Sequence, residues 1–221
     1  MVILVSGKSG SGVTSFSEAL RSYWGNRGIA CWRYSMTEPL QEMAKAVYLV
    51  GGHYGITSPP EGAASDLDLV KMLEHDWGHK KDPAIWINTA KSKMRQVTDR
   101  WEELGFFYIV ILEDVFYPSQ FDAWPDALSI RLECASSVRF SRLGVAATHT
   151  EHPSEAALDS YVHQGRFDIV LNSATSSVEE MVQQISLYMR DTLDQAFSKK
   201  GSTKKGLRSP AEDGAKDSTL G

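Results

Sequence analysis

The chain has 221 residues, a formal net charge of −5 and a hydrophobic share of 42%, which fits one α/β domain with a buried core. Apolar runs stay below the ~18–20 residues of a membrane span, and residues 1–6 lack the basic region and cleavage site of a signal peptide. Cys31 and Cys134 lie far apart in the chain. This spacing excludes a disulfide framework and a cysteine zinc site, and it favours a reducing cytoplasm.

The composition changes at the end of the chain. Residues 198–221 contain six basic and three acidic residues and almost no large apolar side chains. Such a segment cannot offset its ordering entropy by burial, so we predict a domain over 1–197 and a disordered basic tail over 198–221. A solubilising tail is favoured over a weak contact with DNA, because the body of the chain is acidic.

Short apolar runs alternate with longer helical patterns, which predicts a parallel sheet with helices on both faces. The runs are nearly continuous, as in strands buried on two sides. Five strands are predicted over 2–6, 29–34, 107–112, 128–133 and 167–171. Helices are predicted over 14–24, 39–50, 67–76, 83–104, 136–143 and 176–197. Thr37 is the expected N-cap of the second helix, 51–65 is a loop, and 144–165 is a long irregular segment or lid.

A glycine-rich segment follows the first predicted strand and opens a helix. Glycines let successive backbone N–H groups converge on phosphate oxygens, and the helix N-terminus adds positive charge. In this strand–loop–helix context the segment is predicted to be a P-loop that binds nucleotide phosphates, which is favoured over a simple Gly/Ser turn. Its members are Gly7, Lys8, Ser9, Gly10, Ser11, Gly12, Val13, Thr14 and Ser15.

One position of the P-loop pattern departs from expectation. Val13 stands where a lysine normally neutralises the β- and γ-phosphates. Losing one such preorganised contact typically lowers a rate by ~10²–10³. Either Lys8 takes over this role, or the loop binds nucleotide without rapid turnover.

A carboxylate pair ends the third strand. Glu113 and Asp114 follow an apolar run, and this is where a P-loop protein holds Mg²⁺. With the hydroxyl of Thr14, Asp114 is therefore the predicted metal ligand. His149 and His152 have no ligand partners at zinc spacing.

The chain resembles the phage-type deoxynucleoside monophosphate kinases, which are relatives of the adenylate and animal phosphomevalonate kinases. The match runs in order over about residues 1–190. It covers 7–15, 35–41, 82–88, 113–115, 152–155 with Asp159, and 167–172. The resemblance implies a P-loop NTPase fold and the transfer of a phosphoryl group from ATP, with Mg²⁺, to a deoxynucleoside monophosphate in the cytoplasm, that of the host if the chain is phage-encoded.

The resemblance also implies roles for individual residues. Lys8, Asp114, Arg139 and Arg142 are expected to be catalytic, with the arginines, as well as Arg131, facing the transferred phosphate; a solvated helix face is the competing reading for each arginine. Residues expected at the acceptor are Asp82, Trp86, His152, Ser154 and Glu155. For Trp86 the competing reading is a core side chain, and for Ser154 and Glu155 it is the cap of a lid helix.

Other positions depart from the family pattern. Phe116 replaces a usual arginine, Gln41 a lysine and Gln120 a frequent glutamate, so the acceptor stays open. Two alternatives follow: a P-loop kinase that phosphorylates a hydroxymethyl-pyrimidine base in phage DNA, and a nucleotide-binding pseudo-kinase. The expected partners are ATP and a nucleotide or nucleic-acid base, with no membrane; a homodimer is also left open.

Overall fold

A computed structural model of the chain describes residues 1–53, 70, 72–144 and 153–204. The chain divides into two units, Met1–Gln184 and Ile185–Gly221. The first contains the whole sheet. The second is described as helix as far as Lys204.

The first unit is built on five parallel strands. Strand β1 lies at the centre and the order is β2-β3-β1-β4-β5, with parallel pairing at every described ladder. The strands are β1 (Val2–Gly7), β2 (Ala30–Ser35), β3 (Tyr108–Glu113), β4 (Leu128–Glu133) and β5 (Ile169–Asn172). The prediction of a five-stranded parallel α/β fold is confirmed.

Helices occur between successive strands and after the last one. The helices are α1 (Val13–Gly25), α2 (Glu38–Gly52), α3 (Leu73–His79, wound as a π-helix), α4 (Ile85–Glu103), α5 (Pro118–Asp122), α6 (Ser136–Leu143), α7 (Pro153–Ala156), α8 (Asp159–His163) and α9 (Val178–Lys204). Within the described ranges, no helix combines the length and the apolar character needed to cross a membrane.

The two faces of the sheet bury alternate residues of each strand. Leu4 and Leu112 belong to one core cluster with Trp86 and Ala90 of α4. Ile3 lies next to Leu4 in the chain, so it points to the opposite face, where it is fully buried. Helix α1 contacts β1, β2 and β3, and a right-handed connection from β1 to β2 places α1 on this opposite face.

The structure differs from the predicted elements mainly around the loops. Helices α5, α7 and α8 were not predicted, because four or five residues carry too little periodicity to identify a helix. Residues 67–69 and 71 of the predicted helix 67–76 lie outside the described residues, and its described part is helical and continues as α3 to His79. Residues 145–152 of the predicted lid and 54–65 of the predicted loop also lie outside the described part of the chain. Helix α9 extends to Lys204, past the predicted end of the domain at Phe197. Residues 205–221 of the predicted tail lie outside the described part of the chain.

Candidate phosphate-binding site

The glycine-rich loop spans the end of β1 and the start of α1. Gly10 and Gly12 have φ values of +79° and +92°, the left-handed region that favours glycine. A Cβ atom on Gly10 would lie 2.7 Å from the carbonyl oxygen of Arg139, so α6 packs directly on the loop there. Gly12 occupies the N-cap of α1 and makes no side-chain cap hydrogen bond. The first turn of α1 therefore has the arrangement that is found at helix N-termini that bind anions.

Val13 fills the position of the usual P-loop lysine with a buried apolar side chain. It is 7% exposed, and its Cγ2 would lie 2.8 Å from a Cβ on Gly7, so its side chain packs against the start of the loop. Thr14 and Ser15, the next two residues, are exposed. The hydroxyl of Ser11 is fully buried and has no hydrogen-bond partner among the described residues. The hydrogen-bonding capacity of this hydroxyl is therefore unused in the described arrangement of the loop.

Lys8, the other candidate for the lysine role, is engaged in an ion pair. Its Nζ donates to Oδ2 of Asp159, at the start of α8, over 2.8 Å. The other oxygen of Asp159 accepts from Nη2 of Arg131 at 3.1 Å. Arg131 lies on β4, is 1% exposed, and also binds Glu133 at 2.7 Å. Asp159 thus joins the loop lysine to a buried arginine.

Glu155 makes a second link of the same kind. Its carboxylate accepts hydrogen bonds from the Ser9 backbone N–H at 3.3 Å and from the Ser9 hydroxyl at 2.9 Å. Arg139 of α6 lies 3.7 Å from Glu155 and donates to the Ser9 carbonyl oxygen at 3.0 Å. Glu155 is 4% exposed and Arg139 2%, so neither belongs to a solvated helix face.

Arg142 and the segment after β5 make further hydrogen bonds to the loop. Arg142 donates to the carbonyl oxygen of Gly10 at 3.2 Å and to that of Ser173 at 2.8 Å. The Ser173 hydroxyl donates to the carbonyl oxygen of Ser11 at 2.6 Å. The structure therefore places both predicted catalytic arginines, Arg139 and Arg142, on the carbonyl groups of the loop.

The end of β3 lies beside the loop. Ser6, the residue before Gly7, donates through its hydroxyl to the carbonyl oxygen of Val115 at 2.7 Å. Asp114 precedes Val115 and has a φ of +59°, a conformation that non-glycine residues seldom adopt outside functional or turn positions. The tie between β1 and β3 thus brings the predicted metal carboxylate to the same edge of the sheet as the phosphate loop.

Two hydroxyls from the end of β2 orient the Asp114 carboxylate. Ser35 donates to its Oδ2 at 2.5 Å, and Thr37 donates to the same atom at 3.3 Å. Burial raises the pKa of Asp114, against the effect of these two hydrogen bonds and of the charge on Arg33. The carboxylate is therefore held in one orientation but is easier to protonate than an exposed aspartate.

The neighbouring carboxylate points into the protein. Glu113 is 2% exposed and accepts a hydrogen bond from Arg33 at 2.8 Å. Burial and the nearby charge of Asp114 raise its pKa, while Arg33 opposes the shift. Glu113 is thus committed to the arginine of β2, and Asp114 is the member of the pair that remains half-buried at the site.

Thr14 and Asp114 fit a hydrated Mg²⁺. The part of the chain that the structure describes contains no group of three or more His, Cys, Asp or Glu side chains placed to hold a metal. Mg²⁺ does not require such a cage, since it keeps several waters and takes one or two protein oxygens together with substrate phosphates. A hydroxyl and a carboxylate suit that donor set.

The predicted acceptor residues lie in different places. Trp86 is buried in the core cluster, and its indole N–H donates to the carbonyl oxygen of Glu74 at 3.3 Å. Asp82 is exposed and accepts from the backbone N–H of Ala84 at 2.9 Å, at the start of α4. Among the described contacts, these two residues bind α3 and α4 rather than the loop. His152 and the side chain of Ser154 lie outside the described residues.

Three residues of the site were not predicted from the sequence to belong to it. Ser35 and Thr37 orient Asp114, and Ser173 binds the loop. Thr37 does occupy the predicted N-cap of α2, but its hydroxyl makes no cap hydrogen bond, because it is directed to Asp114 and Ser35 instead. The available signal was the alternation of two hydroxyl residues at the end of β2, which becomes informative once β2 is known to pair with β3.

No protein-family model and no curated protein sequence matches the chain. Three solved structures that it resembles are a sugar kinase from Janibacter sp. HTCC2649 (15% identity, TM-score 0.44, covering 86% of this chain and 94% of that one), the shikimate kinase from Bacteroides thetaiotaomicron (13%, 0.45, 86% and 98%) and the Thermus thermophilus protein TT1252 (16%, 0.47, 86% and 97%). At these identities and TM-scores the likeness carries no argument about substrate. The fold class, an α/β protein with a glycine-rich loop at the carboxyl edge of a parallel sheet, rests on the strand order and the loop itself.

Proposed function

We propose that the protein transfers the γ-phosphoryl group of ATP, with Mg²⁺, to a deoxynucleoside monophosphate. The observation that carries this proposal is the meeting of the phosphate loop with Asp114, through the 2.7 Å hydrogen bond from Ser6 to Val115. A glycine loop beside an oriented carboxylate is the arrangement on which phosphoryl transfer depends in P-loop enzymes. The choice of a nucleoside monophosphate as acceptor comes from the family resemblance.

The chemistry requires positioning and charge neutralisation. Backbone N–H groups of the loop and the N-terminus of α1 bind the ATP phosphates, and Thr14 and Asp114 hold the metal. Bound Mg²⁺ neutralises charge on the phosphates. An oxygen of the acceptor phosphate forms the new bond to the γ-phosphorus while the bond from that phosphorus to the β–γ bridging oxygen breaks, which leaves ADP and a nucleoside diphosphate. The attacking oxygen is already anionic, so no general base is needed.

A second candidate is a module that binds nucleotide without transferring phosphate. Val13 favours it, because the position of the P-loop lysine is filled by a buried apolar side chain. The ion pair between Lys8 and Asp159 favours it as well, since the replacement lysine already has a carboxylate partner. Under this reading the loop binds ATP, and its hydrolysis and transfer rates stay at background.

The test is transfer of γ-labelled phosphate from ATP in the presence of Mg²⁺. Acceptors are the four deoxynucleoside monophosphates and one DNA containing hydroxymethyl-pyrimidine. Asp114→Asn removes the metal carboxylate while keeping its size. Asp122→Asn is the matched control, because Asp122 lies on α5 in a half-exposed ion pair with Arg166.

Label on a mononucleotide that disappears in Asp114→Asn and persists in Asp122→Asn supports the proposal. Label on DNA in place of a mononucleotide moves the acceptor to a base hydroxyl. Binding of ATP without any labelled product contradicts the kinase and supports the second candidate.

A further inference from the structure

Two carboxylates from α7 and α8 make contacts on the phosphate loop that a phosphate group can also make. Glu155 accepts the backbone N–H and the hydroxyl of Ser9. Asp159 accepts the ammonium group of Lys8 at 2.8 Å. In P-loops, backbone N–H groups and a lysine are the donors that phosphate oxygens use. Both kinds of donor are therefore occupied by protein oxygens in this structure.

Each carboxylate also pairs with an arginine that is almost fully buried. Arg139 lies 3.7 Å from Glu155, and Arg131 donates to Asp159 at 3.1 Å. The two arginines are 2% and 1% exposed. Removing one partner of a buried ion pair leaves an uncompensated charge, which is strongly unfavourable, so an anion that displaces the carboxylates must compensate the arginines in their place. A phosphoryl group carries the charge needed to do so.

We propose that Glu155 and Asp159 form a carboxylate latch that closes the nucleotide-free loop and is displaced by the terminal phosphate of the nucleotide. This inference rests on the proposed function, since it concerns the regulation of the same site. The nucleotide exchanges its phosphate oxygens for the carboxylate oxygens on Ser9 and Lys8. Because the two anions repel each other, binding of the phosphate and closure of the latch exclude one another, and the latch lowers the affinity for nucleotide by the free energy of closure.

Neutral isosteres of the latch carboxylates test this competition. Binding of the non-hydrolysable analogue adenylyl imidodiphosphate with Mg²⁺ is measured by titration calorimetry for the wild type, Glu155→Gln and Asp159→Asn. We expect Kd to fall about tenfold in each variant, a coupling in the usual range between mutually exclusive states. Asp76→Asn breaks an exposed ion pair of α3 with Lys80, away from α7 and α8 in the chain, and is expected to leave Kd at the wild-type value.

Kd values in Glu155→Gln and Asp159→Asn that equal or exceed the wild-type value overturn the latch, while measurable binding by the wild type leaves the proposed function standing. Absence of binding in every variant, all shown to be folded by circular dichroism, overturns the proposed function and the latch together. The two failures are therefore distinguishable.

A second measurement uses the wild-type protein and does not depend on how the variants fold. Hydrogen–deuterium exchange is followed at the α8 amides, where Tyr161 and Val162 donate to the carbonyl oxygen of Leu158. Release of Asp159 from Lys8 is expected to speed exchange at these amides when the magnesium analogue binds. Exchange that is unchanged or slower in the presence of the analogue contradicts the latch.

Discussion

Replacing Gly10 with alanine tests the packing of α6 on the phosphate loop. A Cβ at this position would lie 2.7 Å from the carbonyl oxygen of Arg139 and 3.1 Å from its Cα. Both are backbone atoms, so they cannot rotate away as the end of a flexible side chain can. Relief requires the loop and the start of α6 to separate. Overpacking of this kind costs about 1–3 kcal/mol.

A matched control isolates that steric contribution. Gly105 also has a positive φ, +68°, but a Cβ there would meet nothing within 4 Å. Each alanine carries a left-handed strain of about 1–2 kcal/mol and an opposing gain of about 0.4–1 kcal/mol from the stiffer unfolded chain. These contributions are common to both variants. The difference between the variants is therefore the cost of contact with Arg139, and we expect Gly10→Ala to be less stable than Gly105→Ala by about 1–3 kcal/mol.

The assay is urea denaturation followed by tryptophan fluorescence, with the midpoints compared at a common m-value. Affinity for a magnesium–nucleotide complex, measured in parallel, is expected to fall in Gly10→Ala and to stay at the wild-type value in Gly105→Ala. Equal destabilisation of the two variants would refute the reasoning, since it would mean that α6 does not press on the loop.

Three further predictions concern single residues. Val13→Lys places an ammonium group at the usual lysine position, and we expect the rate of phosphate transfer to rise by ~10²–10³ in the labelled-ATP assay; an unchanged rate would mean that the site gains nothing from that charge. Burial raises the pKa of the Cys31 thiol from 9.0 to about 12, so its thiolate fraction at pH 8 falls about a thousandfold and alkylation by iodoacetamide, mapped by mass spectrometry, is expected to need urea; rapid alkylation of Cys31 in the native protein would contradict this. Because the pKa of Asp114 is raised above its unfolded value of 3.8, the native state holds its proton more tightly, and the resulting stability is present at low pH and is lost as pH rises through the native pKa. Asp114→Asn lacks this loss, so its free energy of unfolding without Mg²⁺, measured in urea from pH 4 to 8, is expected to improve relative to the wild type as pH rises; a difference independent of pH would count against the shift.

The sheet could be predicted from the sequence because its strands are nearly continuous apolar runs. Residues 2–6 and 128–133 match β1 and β4 to within one residue. Burial on both faces leaves no polar alternation to blur such a signal. The phosphate loop could be predicted for a related reason, since a short glycine pattern between a strand and a helix is local in the chain.

The partners of the loop could not be predicted, because they are distant from it in the sequence and some of them lie on very short helices. Lys8 and Asp159 meet only after β4 and α8 are in place, and α8 is too short to show a helical pattern. Arginine is a residue type usually found on the solvated face of a helix. Arg139 is nevertheless buried, because the carbonyl oxygen of Ser9 accepts a hydrogen bond from its guanidinium group and the carboxylate of Glu155 balances its charge. These partners are brought together by tertiary contacts, which the periodicity of the sequence does not reveal.

The position of β1 in the sheet has a consequence for how the protein is made. Val2 pairs with Val110 of β3, and Ile3 pairs with Leu128 of β4. At about 5–20 residues per second of synthesis, more than a hundred residues separate the emergence of β1 from that of its neighbours by several seconds. During this interval the apolar strand that carries the phosphate loop has no native partner. The sheet therefore forms late, by pairing of strands that are far apart in the sequence. The strand that carries the phosphate loop thus gains its neighbours only after more than a hundred further residues have been synthesised.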